Sequence, residues 1–212
     1  MTVLVFANGE IEDVRWIEPH LSQATAVLAA DGGLRHIMAL GRWPDVIIGD
    51  MDSLPEVTES ELSAAGVRMV RYSHDKNETD LELALNYAAE NYAGPIRIFG
   101  ATGGRLDQTL ANISLLALPS LVGRDVRLVE PNEEAWLVGD HTEIRGEVGD
   151  TVSLVPLGGD VVIADTTGLR WPLHEETLHF GRARGVSNEM VSTVATVSVS
   201  AGQVLCVHMT RR

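Results

Sequence analysis

The chain has 212 residues, 45% hydrophobic and 22% charged, which excludes a disordered polymer and leaves room for a sizeable core in one large or two small domains. Against 16 Lys and Arg stand 30 Asp and Glu, and the formal net charge of −14 argues against a general nucleic-acid-binding surface while allowing a local basic pocket. The single Cys206 excludes an intrachain disulfide framework and a thiolate zinc cluster, and no apolar run reaches the roughly 18 residues of a membrane span. The N-terminal run enters a strand-like pattern without a basic leader, so the expectation is a cytoplasmic protein with no membrane or nucleic-acid partner.

Residues 3–6 form the first strand candidate, followed by a helix over 12–21. A strand at 26–30 precedes a helix at 34–40, and a short apolar strand lies at 46–48. Residues 56–65 suit a helix, with Pro55 in its first turn. After a strand at 67–70 comes the strongest helix, 79–92, where Leu81, Leu85, Ala88 and Tyr92 share one stripe and Thr79 with Glu82 has capping-box spacing. A strand at 96–99 leads to a second amphipathic helix marked by Leu106, Leu110, Ile113 and Ala117, read as core-packing. The strand at 126–129 closes the series. Short apolar strands alternating with helices predict an α/β fold: a mostly parallel sheet with helices on both faces. Beyond Gly139 no helix is expected. Strands at 151–155, 161–164, 194–199 and 204–209, punctuated by Gly158, Gly159, Gly168 and Gly202, predict an antiparallel β-sandwich or small barrel.

Ligands of an open parallel sheet bind outside the carboxyl ends of its strands, so polar residues directly after the apolar runs are the candidates. Asp31-Gly32-Gly33 follows the second strand; Asp31 suits a metal-bound water or a ligand hydroxyl, while taken alone it reads first as a turn residue that caps the next helix. Asp50 and Asp52 follow the third; if the chain stays extended they point the same way. Two like charges about 4 Å apart repel by roughly 4 kcal/mol at an effective dielectric near 20, which a hard divalent cation relieves. The bland reading is a loop with two solvated acids. Lys76 and Asp80 lead into the strongest helix, as a phosphate contact and a third acid, or as ordinary helix-start residues. Gly100-Ala101-Thr102-Gly103-Gly104-Arg105-Leu106-Asp107 is a glycine-rich turn into a helix with a bidentate phosphate donor, but neither a P-loop nor a dinucleotide fingerprint. Together these four loops have the layout of a site for a metal–nucleoside triphosphate.

In that order, Ala30-Asp31-Gly32-Gly33, Pro44-Asp45-Val46-Ile47-Ile48-Gly49-Asp50-Met51-Asp52-Ser53, Lys76-Asn77-Glu78-Thr79-Asp80 and Gly100 to Asp107 resemble the thiamine pyrophosphokinase family. So do Val152 to Leu157, Thr167-Gly168-Leu169-Arg170-Trp171-Pro172-Leu173 and Gly185-Val186-Ser187-Asn188-Glu189 further on. The resemblance implies an ATP-binding catalytic α/β domain over 1–138 and a thiamine-binding, dimerising β-sandwich over 139–212, in a homodimer with active sites between subunits. It implies Mg²⁺ and transfer of the β,γ-pyrophosphoryl group of ATP to the hydroxyl of thiamine, giving thiamine diphosphate and AMP. By the same resemblance Asp50, Asp52 and Asp80 hold metal and act in catalysis with Arg105. Asp31, Gly32, Lys76, Thr102, Gly103, Gly104, Arg105 and Asp107 take the nucleotide, and Trp171, Ser187 and Asn188 the thiamine. Gln108 departs from the family's usual His. A pyrophosphokinase for another alcohol and a non-catalytic nucleotide-binding regulator are the rival readings.

Overall fold

Every residue from Val3 to Phe6 is fully buried, a state a strand reaches only where both faces of its sheet are covered. The computed structural model describes residues 2–52, 54 and 57–211, so the expected first-turn Pro55 lies outside the described residues. The described residues fall into two compact units that divide between Val129 and Glu130.

The first unit runs β1 (Thr2–Phe6), α1 (Glu18–Leu21), β2 (Ala24–Ala30), α2 (Leu34–Ala39), β3 (Val46–Gly49), α3 (Glu59–Ala64), β4 (Arg68–Arg71), α4 (Asp80–Asn91), β5 (Ile96–Phe99), α5 (Leu106–Ser114) and β6 (Val126–Val129). Its strands pair in parallel in the order β6-β5-β1-β2-β3-β4. The chain therefore winds from β1 outward to β4, then returns to the other side of β1, and the order reverses between β1 and β5. Leu4 and Phe6 join a core cluster with Val27, Ala29, Ile47, Ile17, Leu34, Ile37 and Leu62, which places α2 and α3 on that face. Helix α4 packs against β1, β2 and β3 through its buried Leu81, Ala84, Leu85 and Ala88.

Local chemistry sets the helix ends. The Thr79 side chain accepts from Glu82 N and starts α4; Tyr92, expected on its stripe, is extended and ends it. Helix α3 starts at Thr58 with a full capping box to Glu61, later than the expected 56. The predicted helix over 12–21 is reduced to a 3-10 turn at Arg15–Ile17 followed by α1. Helix α5 forms as expected, but Leu106 and Leu110 are 72% and 57% exposed, so the first half of its apolar stripe does not pack into the core, while Ile113 and Ala117 are half-buried.

The second unit holds β7 (Glu133–Val138), β8 (His141–Arg145), β9 (Thr151–Pro156), β10 (Val161–Thr167), β11 (His174–Leu178), β12 (Asn188–Glu189), β13 (Val194–Ala201) and β14 (Val204–Met209). Strands β12-β9-β14-β7 pair antiparallel, as do β11-β10-β13-β8. Trp136, Leu154 and Cys206 from the first set share one core with Ile144, Ile163 and Val197 from the second, which makes a β-sandwich. The unit begins earlier than the 138/139 division read from the sequence, because β7 pairs along its whole length with β14. No described helix is long and apolar enough to cross a membrane.

Candidate active site

A cleft of about 520 Å³ opens at the carboxyl ends of the parallel strands, where the strand order reverses. Its wall is formed by Ala7 to Glu10 after β1, Asp31 after β2, Gly103 to Arg105 after β5, and Thr79 and Asp80 at the start of α4, with Arg35, Gln108 and Asn112 completing it. The loop after β1 was not singled out in the sequence, although the same strand-end rule points to Asn8 and Gly9. Asn112 is buried and donates to Ala101 O at 2.7 Å, which fixes the glycine-rich loop against α5.

The carboxylates gather in two overlapping sets. Oxygens of Asp31, Asp50 and Asp80 lie within 4.8 Å of one another, and those of Asp50 and Asp52 lie as close to a nitrogen of His74. Asp50 belongs to both. Gly49 makes the first set possible: a Cβ there would stand 2.9 Å from Asp31 Cβ and 2.9 Å from Asp80 Oδ1, so only glycine lets these side chains close over the strand end. The expectation that an extended chain would point Asp50 and Asp52 the same way is not met. Met51 between them has φ +69°, and Asp52 N donates to Asp50 Oδ1 at 3.2 Å across the resulting turn. Asp31 also has positive φ, at +41°. Left-handed backbone at non-glycine residues costs energy and concentrates at functional sites.

Lys76 and His74 stand against these acids. Lys76 Nζ donates to Asp80 Oδ1 at 2.5 Å and is largely buried. His74 Nδ1 lies 2.8 Å from Asp50 Oδ2 and 3.6 Å from Asp52 Oδ2. The His74 hydrogen bond holds the Asp50 carboxyl below the usual carboxylate range, against a smaller opposing effect of desolvation. The same bond, with the charges of Asp50 and Asp52, raises the imidazole pKa. An all-oxygen set of acids at this spacing is the donor chemistry of a hard divalent cation such as Mg²⁺.

Across the cleft, Arg105 and Asp107 form an exposed pair, with Nε to Oδ1 at 3.1 Å and Nη2 to Oδ2 at 2.5 Å. Hydrogen bonding to each other raises the Arg105 pKa and lowers that of Asp107. Asp107 thus holds the guanidinium rather than lining the cleft itself. Gly32 packs under the Asn8 side chain, and Thr102 lies against Gly9 by its carbonyl.

The second unit has its own smaller cavity of about 300 Å³, which gathers Trp171, Ser187 and Asn188 with Leu173, Arg184, Gly185 and Val186. Asn188 is buried, and its amide spans the backbone of Trp171, donating to Trp171 O at 2.7 Å and accepting from Trp171 N at 3.1 Å. Ser187 has φ +59°, and its N–H donates to Ser153 Oγ at 3.0 Å. The Trp171 ring is half exposed, with the Arg170 guanidinium over it at 5.2 Å.

Residues 17–128 match the family model "Thiamin pyrophosphokinase, catalytic domain", which is more than half of the chain. The chain belongs to the thiamin pyrophosphokinase family. Residues 141–204 match that family's "vitamin B1 binding domain". Thiamine pyrophosphokinase of Bacillus subtilis is 27% identical over 211 residues, covering 99% of both chains, and thiamine pyrophosphokinase 3 of rice is 36% identical over 73% of this chain and 62% of the rice protein. The crystal structure of the Bacillus subtilis enzyme superposes over 100% of both chains with a TM-score of 0.86 at 25% identity. Yeast thiamin pyrophosphokinase, at 18% identity and a TM-score of 0.82 over 98% of this chain and 86% of its own, shares the fold.

Proposed function

We propose that the chain is a thiamine pyrophosphokinase in which the strand-end cleft takes Mg²⁺-chelated ATP and the second unit's cavity takes thiamine. The observation that carries this reading is that Asp31 and Asp80, with Asp50 gathered beside them, line the same cleft as Gly103, Gly104 and Arg105 of the glycine-rich loop. Asp50, Asp80 and Asp31 would hold the metal, with Asp52 on its exposed side; when bound, Mg²⁺ neutralises phosphate oxygens. Gly103 and Gly104 present backbone to the nucleotide, and Arg105, aligned by Asp107, stabilises charge on the transferred group. Lys76 has two N–H donors beyond the one given to Asp80, so it can bridge acid and phosphate.

The thiamine hydroxyl oxygen attacks the β-phosphorus; the new O–P bond replaces the bond from the β-phosphorus to the bridging oxygen, AMP leaves, and the acidic cluster takes up the hydroxyl proton. No covalent enzyme intermediate is needed, so the chain's work is positioning and charge neutralisation. Trp171 offers an aromatic face to a cationic thiazolium, in a backbone geometry fixed by Asn188. The exposed Leu106 and Leu110 favour a homodimer that covers α5 and completes each site with both subunits.

The test is to incubate the protein with ATP, Mg²⁺ and thiamine and follow phosphorus NMR. AMP and thiamine diphosphate should appear in equal amounts. ADP with thiamine monophosphate, or no turnover with thiamine alongside turnover of another alcohol, would contradict the reading.

A further inference from the structure

The Gly9 carbonyl sits under two donors from α2 that the chemistry so far leaves without a role. Arg35 Nη2 donates to Gly9 O at 2.9 Å and to Asn8 O at 2.8 Å, and His36 Nε2 lies 2.8 Å from the same Gly9 oxygen. A carbonyl only accepts, so at 2.8 Å His36 contributes Nε2–H to Gly9 O; Arg35 Nε, 3.4 Å from the same ring nitrogen, is then a close neighbour and not a second hydrogen bond to it. His36 is buried, and burial lowers its pKa, against the opposing effect of the Gly9 bond. On its other side Gly9 N donates to Gly100 O at 2.8 Å, and a Cβ at Gly9 would stand 2.4 Å from Gly100 O and from Thr102 O. Next to it, the Glu10 carbonyl is the nearest atom to the side of Gly103 where a Cβ would point, at 3.0 Å. The post-β1 loop is therefore wedged between α2 and the glycine-rich loop, and it forms one wall of the cleft at the point where the strand order reverses.

We propose that Arg35 and His36 are positioning residues that act through Gly9 to fix the glycine-rich loop, setting affinity for the nucleotide without touching the reacting atoms. This rests on the reading of the cleft as an ATP site. A bare Arg at a phosphate cleft suggests a direct phosphate contact instead. Here one terminal nitrogen is committed to two backbone carbonyls, and a second residue makes the same bond beside it. The clamp therefore predicts that the two residues behave alike, whereas a phosphate contact predicts that only Arg35 matters.

The test uses Arg35→Ala, His36→Leu, their double variant, and His36→Gln, whose amide N–H reaches about as far as the imidazole Nε2. Arg35→Ala, which loses the bonds to Asn8 O and Gly9 O, and His36→Leu, which loses the one to Gly9 O, should each raise KM for ATP about fivefold or more, with kcat within about twofold and KM for thiamine unchanged. The double variant should fall short of the product of the two, and His36→Gln should stay close to the unmodified protein. Amide hydrogen exchange in the protein alone should quicken over residues 8–10 and 100–105 in Arg35→Ala and His36→Leu, and not in His36→Gln. A raised KM in Arg35→Ala without faster exchange, or an effect of Arg35→Ala that His36→Leu does not share, would overturn the proposal, as would a fall in kcat with KM for ATP unmoved. If the unmodified protein forms no AMP, the activity reading fails. Exchange, with equilibrium titration of ATP, then decides the clamp alone.

Discussion

The two cavities of this chain solve opposite problems. In the first unit, charges of one sign are forced together: Asp31, Asp50 and Asp80 share a space in which Lys76 and His74 only partly offset them. In the second, the polar groups satisfy one another, as the Asn188 amide closes on both ends of the Trp171 peptide and Ser187 N–H is taken by Ser153. The first cavity stores electrostatic tension that a cation and a polyanion release; the second fixes the shape of an aromatic platform. On the proposed reading, the first would select a chelated polyanion by charge and the second a flat ring by shape.

Removing charge should therefore damage only the first. Asp50→Asn, at the position common to both carboxylate sets, should lower AMP formation by about 10³-fold or more with the melting temperature preserved, measured by coupled assay and calorimetry. Asp52→Asn should cost less than Asp50→Asn, because Asp52 is the more exposed and stands outside the Asp31–Asp50–Asp80 set. Equal losses would collapse that distinction.

The second unit should instead break through its internal bonds. Buried Asp150 accepts from Arg211 N, Glu147 N and His208 Nε2, each at 2.9 Å. Burial raises its pKa, but these bonds together outweigh that and hold it below the ordinary carboxylate value. Because the folded value is depressed, its stabilisation is present above the ordinary carboxylate pKa and is lost as pH falls through the folded value. Asp150→Asn should cost about 2–4 kcal/mol at pH 7, and the gap from the unmodified protein should narrow in acid, read by denaturant titration across pH. Asn188→Ala should raise KM for thiamine about tenfold with KM for ATP unchanged, because it frees the Trp171 backbone. Smallest of these, Leu110→Glu should weaken self-association about fivefold in sedimentation while each unit stays folded.

What could be read in advance follows the same divide. The acids were legible because each follows an apolar strand, and strand ends of a parallel sheet converge whatever the loops do. How they converge was not: the left-handed Met51 that folds Asp52 back toward Asp50 has no signature in a Met. The Leu106–Leu110 stripe gave the helix but not what covers it, since periodicity marks an apolar face and is silent about whose core receives it. Strands β8 and β11 escaped notice because they are the edges of their sheet, where His141-Thr142-Glu143-Ile144-Arg145 and His174-Glu175-Glu176-Thr177-Leu178 carry charge outward and bury little. The role of Asn188 depends on a partner 17 residues away in sequence, which no local pattern encodes.

The claim on which the rest stands is that Asp50 and its neighbours hold the metal of a metal–triphosphate. Calorimetric titration with a non-cleavable α,β-methylene ATP, with and without Mg²⁺, on the unmodified protein and Asp50→Asn, tests it most directly. Asp50→Asn should weaken binding by at least about tenfold with Mg²⁺ present and leave metal-free binding unchanged or tighter, since one negative charge is gone. Equal binding by both proteins in Mg²⁺, or the same loss with and without the metal, would contradict it.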